Sequence, residues 1–397
     1  MSYRLLTLSA LRNRLARQPR GAQQPNLAQH PAGKAALSLL KVVASAGLPL
    51  LLLWLAGCSN EPAPRDTHSP VSDNGEISSF FYSLLLYLDA AILAIVVAVW
   101  AYALVKFKKQ AGDDTLPEQS HGNMKLEVIW TAIPTLIVVA ITVPMLVGVF
   151  QMSKRHDPNQ PVVEVDVTGK QWWWEFDYKS GSAAGLHTAN ELHLPVGTAV
   201  TLHMTSADVI HAWWVPRLGG KRDANPGRTY PMSFTAKTPG IYDGQCAELC
   251  GSSHALMGTK LIVHPLAGEL EVDYKGQKVK LETYETWVRE QQAPAKPPVA
   301  ELEKGLKLFK ERTCPSCHLI QGLEGTDIAA RSATSGPNLT HVGSRMGIAA
   351  NTLLNNPENL AKWISKPSAV KPGSKMPDGL VTPEDAKAIA AFLSSLK

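Results

Sequence analysis

Acidic residues are absent from the first 57 positions, which hold seven basic ones: Arg4, Arg12, Arg14, Arg17, Arg20, Lys34 and Lys41. The 397-residue chain carries a formal charge of +5, so losing that stretch leaves it near −2 (5 minus 7) and removes electrostatic support for a nucleic-acid partner. Cysteine is scarce as well. Five in a chain of this size exclude a disulfide-stapled mini-fold, and their spacing sorts them into Cys58 alone, Cys246 with Cys250, and Cys314 with Cys317. Charged residues make up only 18% and apolar ones 45%, which excludes disorder as the dominant state. Internal repeats and long low-complexity tracts are missing, and at ~150 residues per domain the length suggests two or three domains.

The basic start leads into an apolar run, Val42 to Gly57, interrupted by Pro49 and too short for the ~20 residues that a spanning helix prefers. Residues 1–57 read as a signal peptide. The ending Leu55-Ala56-Gly57-Cys58 resembles the lipobox of bacterial lipoproteins, in which the cysteine is acylated; an uncleaved anchor with an incidental cysteine is the alternative. Residues 58–79 read as an extracytoplasmic linker.

Two longer apolar runs, Phe80 to Val105 and Leu126 to Phe150, are each long enough to cross the ~30 Å hydrocarbon layer. They predict a transmembrane hairpin over 80–152 with a loop at 106–125. That loop carries Lys106, Lys108, Lys109 and Lys125 against Arg65, Lys154 and Arg155 on the other side, so positive-inside counting favours a cytoplasmic loop, and an exported N-terminus gives the same orientation, with the chain beyond Phe150 outside the cytoplasm. Asp89 and Glu127 are the acidic exceptions within the spans; Asp89 receives no role. Pro134 and Pro144 are expected to kink the second helix.

From Pro161 to Pro265 the pattern becomes short alternating runs, such as Val163, Val165, Val167 and Val200, Leu202, Met204, which predict an antiparallel β domain. Polar, helix-like sequence continues to Glu290 and closes a domain spanning 153–290. The segment 291–300, with Pro294, Pro297 and Pro298, reads as an extended linker reaching ~31 Å. Helical patterns at Glu301 to Lys310 and Pro383 to Leu396, the latter capped by Thr382, make 301–397 a small α domain.

The densest chemical cluster is Cys246, Glu248, Cys250, His254 and Met257, with His211 upstream. Two thiolates, two imidazoles and a thioether suit copper. A second thiolate suggests two coppers bridged by both sulfurs, one histidine on each, with Met257 and the Glu248 carbonyl as weak outer ligands. A tetrahedral zinc site and a copper chaperone use overlapping ligands and stay open on composition alone. His187, His193, His203 and His264 lie in strand or loop patterns without partner motifs and read as structural.

The stretches His211-Ala-Trp-Trp-Val-Pro through Lys221, Asp223 and Arg228, and Gly244-Gln-Cys246-Ala-Glu248-Leu-Cys250-Gly-Ser-Ser-His254, resemble the CuA domain of cytochrome c oxidase subunit II. So do Gln171-Trp172-Trp173-Trp174 and Leu126-Glu127-Val-Ile-Trp130-Thr-Ala-Ile-Pro134. The resemblance covers Phe80 to Pro265. It implies a cupredoxin-like barrel in which His211, Cys246, Cys250, His254, Met257 and the Glu248 carbonyl hold two copper ions. It also implies a Glu248 side chain reaching a magnesium ion shared with another subunit, Trp172 as the point where electrons arrive, and Glu127 at the mouth of a proton channel. Trp173 departs from the family, which commonly has Tyr there.

Cys314-Pro-Ser-Cys317-His318 is a c-type haem attachment motif: two thiols for the vinyl groups and a histidine for the iron. With the helical run before it, the segment Glu301 to Lys397 resembles a class I cytochrome c. The family's ligand loop matches Lys375-Met376-Pro377, which favours Met376 over Met346 as the second axial ligand. Gly336-Pro337 matches the segment whose carbonyl orients His318.

Together these resemblances imply a membrane-anchored multidomain protein: subunit II of a respiratory oxidase in the bacterial cytoplasmic membrane, with copper and haem domains outside. Subunits I and III, membrane lipid, and an upstream cytochrome c or quinol-oxidising complex are the implied partners. A nitric or nitrous oxide reductase component, a quinol oxidase subunit and a copper-delivery lipoprotein are the competing classes.

Overall fold

The structure, a computed structural model, describes residues 65–108, 112, 116, 119, 122–153, 162–296, 298–326 and 336–397. The leader 1–57 and the acylation candidate Cys58 lie outside the described residues. The chain divides into two compact units, 62–88 with 122–397 and 1–61 with 89–121. In the second unit, the described part is the end of one helix and a few loop residues.

Helices α1 (Asp73–Lys106) and α2 (Met124–Met152) are long and apolar enough to cross a membrane. Their apolar residues are exposed all round, Leu93 and Trp100 on α1 and Leu136 and Val147 on α2, so neither helix is covered by the rest of this chain, as suits a membrane span. α2 runs unbroken through Pro134 and Pro144. It is capped by Asn123, whose Oδ1 accepts the amides of Lys125 and Leu126. α1 begins at Asp73, seven residues before the apolar run, because the Ser72 hydroxyl accepts the Gly75 amide at 3.0 Å and caps it. The expected 58–79 linker is therefore partly helical at its end. It is also not free: Val71 N–H donates to the Arg217 carbonyl, Asn74 Nδ2 to Ser233, and the Asp73 carboxylate accepts the Thr235 amide.

Ten strands come next: β1 (Val162–Lys170), β2 (Trp173–Tyr178), β3 (His187–Ala189), β4 (Glu191–Pro195), β5 (Ala199–Ser206), β6 (His211–Trp214), β7 (Arg222–Ala224), β8 (Tyr230–Thr235), β9 (Gly240–Cys246) and β10 (Gly258–His264). They form two five-stranded sheets in the orders β3-β2-β1-β5-β8 and β4-β10-β9-β6-β7. Alternation holds on β1, β2 and β5, whose inward set (Val165, Val167, Trp174, Phe176, Leu202 and Met204) fills the core between the sheets. The cupredoxin-like domain is present, but its ladders are mixed. β1 runs parallel to β5 and β4 parallel to β10, a feature that alternation alone does not report because it is the same in either direction.

The helix-like expectation up to Glu290 needs correction. That segment holds a hairpin, β11 (Leu270–Tyr274) and β12 (Gln277–Leu281), before a single helix α3 (Tyr284–Gln292). The alternation of Leu270, Val272 and Tyr274 decides the strand, and Lys275 and Gly276, both at positive φ, make the turn.

The C-terminal domain packs α4 (Glu303–Glu311), α5 (Pro357–Ser365), the short α6 (Pro367–Val370) and α7 (Pro383–Ser394) around Phe309 and Phe392, which meet edge to face at 6.1 Å. Thr382 caps α7 as expected, its Oγ1 accepting the Asp385 amide. The linker is pinned rather than loose. His341 Nε2 donates to the Ala293 carbonyl at 2.9 Å, and Ala295 N–H to the Gln321 carbonyl at 2.9 Å.

Two of the unassigned histidines, His193 and His264, pack into the core. His193 stacks on Trp287 at 4.2 Å, its Nδ1 lies 2.9 Å from His264 Nε2, and His264 Nδ1–H donates to the Glu282 carbonyl. Burial pushes His264 down to about 4, against the opposing carbonyl bond. The unfolded chain therefore binds a proton that the folded chain refuses below a pH of about 6.5, and stability falls as pH falls, by at most ~3 kcal/mol on reaching pH 4. His264→Gln should flatten the loss of Tm between pH 7 and pH 5; an unchanged slope would show that this ring does not carry the effect.

Candidate functional site

His211 opens β6 and Cys246 closes β9, neighbouring strands whose ladder pairs Trp213 with Cys246. The loop that returns to β10 carries Cys250, His254 and Met257, and is closed by the Cys246 amide donating to the Met257 carbonyl at 2.9 Å. Two sheet edges and one loop thus bring together residues that the sequence keeps up to 46 positions apart. The Sγ atoms of Cys246 and Cys250 lie 3.8 Å apart, far outside the ~2.05 Å of a disulfide. His211 Nδ1 is 3.9 Å from Cys246 Sγ, while His254 Nδ1 is 3.5 Å from Cys250 Sγ. Met257 Sδ lies 3.8 Å from Cys250 Sγ, and the Glu248 carbonyl 3.3 Å from Cys246 Sγ. Each sulfur therefore has its own imidazole. His211, Cys246 and Cys250 present ligand atoms within 4.8 Å of one another, a group that does not include His254. The Glu248 side chain points outward and is exposed.

Electrostatics prepare this cluster for a cation. The hydrogen bond from Cys250 is the main reason the Cys246 thiol is held well below the usual thiol range, with burial opposing and His211 assisting. Cys250 moves up in response, because the pair shares one proton. His211 is fully buried; burial lowers its affinity for a proton, but the bonds to Asp208 and Cys246 prevail and raise it. Asp208 carries no motif that marks it in the sequence, although it precedes His211 by three residues. Its Oδ1 accepts from His211 Nε2 at 2.8 Å, fixing the tautomer that leaves Nδ1 turned to the sulfurs. The same carboxylate accepts the Gln171 amide at 2.7 Å and Lys375 Nζ at 3.1 Å. Despite the opposing cost of burial, these bonds hold its own pKa well below the carboxylate range. A Cβ at Gly169 would lie 2.7 Å from the His211 ring, so only glycine leaves room for it.

Trp172 sits in the β1–β2 turn and is 8% exposed. Its Nε1 donates to the Cys250 carbonyl at 3.0 Å, and Gln171 Nε2 donates to the same oxygen at 2.8 Å. Trp174 is core and packs edge-on to His211 at 5.9 Å; Trp173 is half-buried beneath Lys170.

The second site is an apolar cavity lined by Cys314, Cys317, His318, Met376, Gly336 and Pro337, among others. Both cysteines are free thiols, and burial pushes Cys314 up to about 11. His318 Nδ1–H donates to the Pro337 carbonyl at 2.9 Å, and burial lowers its pKa despite that bond, leaving a neutral Nε2 for a metal. A Cβ at Gly336 would come within 2.4 Å of the ring. Met346 is not among the lining residues; its amide donates instead to Glu191. Lys170, Gln171, Trp172 and Trp173 line this same cavity, so the two sites meet at one turn. Glu127 lies in the first turn of α2, half-buried, and Asp89 on α1 is exposed; neither contributes an atom to these two sites.

The chain matches cytochrome c oxidase subunit II, transmembrane domain, over residues 65–147; the periplasmic domain of the same subunit over 179–264; and cytochrome c over 302–397. It is 38% identical to cytochrome c oxidase subunit 2 of Alkalihalophilus pseudofirmus, across 89% of this chain and 97% of that protein. Cytochrome c oxidase subunit 2 of Bacillus subtilis is 30% identical across 88% of this chain and 96% of that protein. Quinol oxidase subunit 2 of Bacillus cereus is 31% identical across 62% and 79%. The domains matched imply copper in the first site and haem in the second, and both donor sets fit.

Gly169→Ala should displace the His211 ring and cut bound copper per chain while leaving haem incorporation intact. Gly336→Ala should do the reverse. Equal loss of both groups in either variant would mean global misfolding rather than a local clash.

Proposed function

Because the chain belongs to the cytochrome c oxidase subunit II family and ends in a cytochrome c domain, we propose that it takes electrons onto its own haem c and hands them to a two-copper centre. From there they would pass to the catalytic subunit I of a haem-copper oxidase, which reduces oxygen to water with proton pumping. One observation carries this reading: Trp172 lines the haem cavity while its Nε1 donates to the carbonyl of Cys250.

Cys314 and Cys317 would attach the haem, with His318 and Met376 on its iron. His211, Cys246, Cys250, His254, Met257 and the Glu248 carbonyl would hold the copper pair. When bound, the haem and the copper pair supply one-electron redox couples. The protein's part is to hold ligands still. Asp208 fixes His211, Pro337 fixes His318, and the closed loop from Cys246 to Met257 keeps the thiolates apart, so little moves between oxidation states. His254 lies outside the compact His211–Cys246–Cys250 group, which favours two metals over one tetrahedral zinc. The thiolate pair likewise disfavours a quinol oxidase subunit, which has no need of it.

The outward Glu248 carboxylate suits a magnesium ion shared with subunit I, and Glu127 at the start of α2 suits the mouth of a proton channel. With the loop between α1 and α2 inside, the sheet and cytochrome domains lie on the outer side of a bacterial cytoplasmic membrane. Subunit III and an external cytochrome c or quinol-oxidising complex complete the chain of partners, and Cys58 would carry a lipid.

The full chain, matured with haem-attachment machinery and loaded with copper, should hold two coppers per haem and show one unpaired electron shared by both metals in its spin resonance spectrum. Bound zinc, or one loosely held copper, would overturn the reading and leave a structural or delivery site. Met257→Leu should keep copper but shift its potential, whereas an unchanged potential would remove Met257 from the ligands. Met376→Ala should open the ferrous haem to carbon monoxide; a haem still closed to it would point to Met346.

A further inference from the structure

The cytochrome domain touches the β-sheet domain through more than its linker. Glu191, at the start of β4, is 3% exposed and accepts two amides from the cytochrome domain on Oε1, Met346 at 2.9 Å and Gly347 at 3.1 Å. Just beyond, Ala349, Ala350 and Asn351 all have left-handed backbone, at φ of 50°, 57° and 62°. Three such residues in a row persist only where their surroundings over-determine them. Several of the partners that do so lie on the other domain. The Ala350 carbonyl accepts the Gly258 amide at 3.1 Å, Asn351 Oδ1 accepts Lys260 Nζ at 2.6 Å, Asn351 Nδ2 donates to the Asn190 carbonyl, and Thr352 Oγ1 donates to the Leu256 carbonyl.

A second line of contact covers Trp172 itself. Lys371 is buried, and its Nζ donates both to the Trp172 carbonyl and to the Ala349 carbonyl. The Pro372 carbonyl accepts from Ser253, the Trp172 ring lies against Gly373, and Lys375 pairs with Asp208. Burial pushes Lys371 down to about 7, with the nearby Cys250 opposing; its ammonium has no carboxylate partner among its hydrogen bonds. By contrast Ser316 and Cys317, at the haem-attachment edge, stay exposed.

We propose that the cytochrome domain is latched to the barrel by Glu191, Asn351 and Lys371, so that Trp172 is sealed from outside donors and, among the described residues, the exposed attachment edge at Cys317 is the route inward. This rests on the proposed electron-transfer function only for what the latch serves. A latched domain needs no docking step, whereas a tethered one searches at an effective concentration set by its linker. Trp172 in this chain is therefore a relay inside one folded body, and the docking of an external donor is moved to the fused haem.

The test compares the full holo-chain with Lys371→Met and Asn351→Ala. Hydrogen exchange of the metal-free and metal-loaded forms should show the Met346, Gly347 and Gly258 amides protected together. Each variant should weaken that protection about tenfold, as expected for one lost hydrogen bond to a charged or buried group. Hydroxyl-radical footprinting should leave Trp172 unmodified in the native chain and oxidised in the variants, with the haem spectrum and copper signal unaltered. Haem-to-copper transfer after a flash of reductant should be independent of solvent viscosity in the native chain and slow with viscosity in the variants. Rapid exchange at Met346 and Gly347, or native transfer that slows with viscosity, would overturn the latch. Protected amides and a shielded Trp172 in a chain that transfers no electron would uphold the latch and sink the electron-transfer reading instead.

Discussion

The Asp208 carboxylate is the point on which the rest of the site hangs. One oxygen accepts a hydrogen bond from His211 Nε2, and the other accepts from the amide of Gln171 and the ammonium of Lys375. Those three partners belong to the thiolate cluster, to the turn that carries Trp172, and to the loop that carries Met376. A group without acceptor oxygens there would neither fix the imidazole nor hold the lysine, and the two sites would lose their common reference. The arrangement is stable because the charge is satisfied from several directions at once; a half-buried carboxylate with fewer donors would be costly.

The same rule governs the interface between the sheet and cytochrome domains. Glu191, Lys260, Arg345 and Lys371 are charged side chains in largely buried positions, and such groups are rarely tolerated without partners. Burial raises the pKa of Glu191, while Lys260, Arg345 and the two amides pull it back. Most of their hydrogen bonds go to backbone carbonyls and amides rather than to other charges. Such contacts depend on one relative placement of two backbones, so they specify geometry more sharply than an apolar patch of equal area.

Much of this was legible in the sequence, and the reason lies in spacing. Cys246, Cys250, His254 and Met257 sit on one loop, and Cys314, Cys317 and His318 on one turn, so their chemistry is written in consecutive positions. His211 and Met376 are reached through the motifs around them. Asp208, Glu191 and Lys371 are not, because their partners lie up to 199 positions away and an isolated lysine in sequence looks like any solvated lysine. The hairpin from Leu270 to Leu281 is obscured by its many charges, which dress an exposed strand and an exposed helix alike. Strand direction is equally hidden: Val163 to Val167 alternates in the same way beside β5, which is parallel, as beside β2, which is antiparallel.

The pinned linker has a thermodynamic consequence. Ala293 and Ala295 are bonded to the cytochrome domain within a few residues of α3, which packs on the sheet domain through Trp287 and Val288. The ordering entropy of that segment is spent during folding, and adding residues to it raises the closure cost only logarithmically, ~0.6 kcal/mol per doubling. Length is then nearly neutral, whereas the seam at either end is not. The sheet and cytochrome domains share one cooperative boundary, and a lesion that loosens one face exposes buried charge on the other.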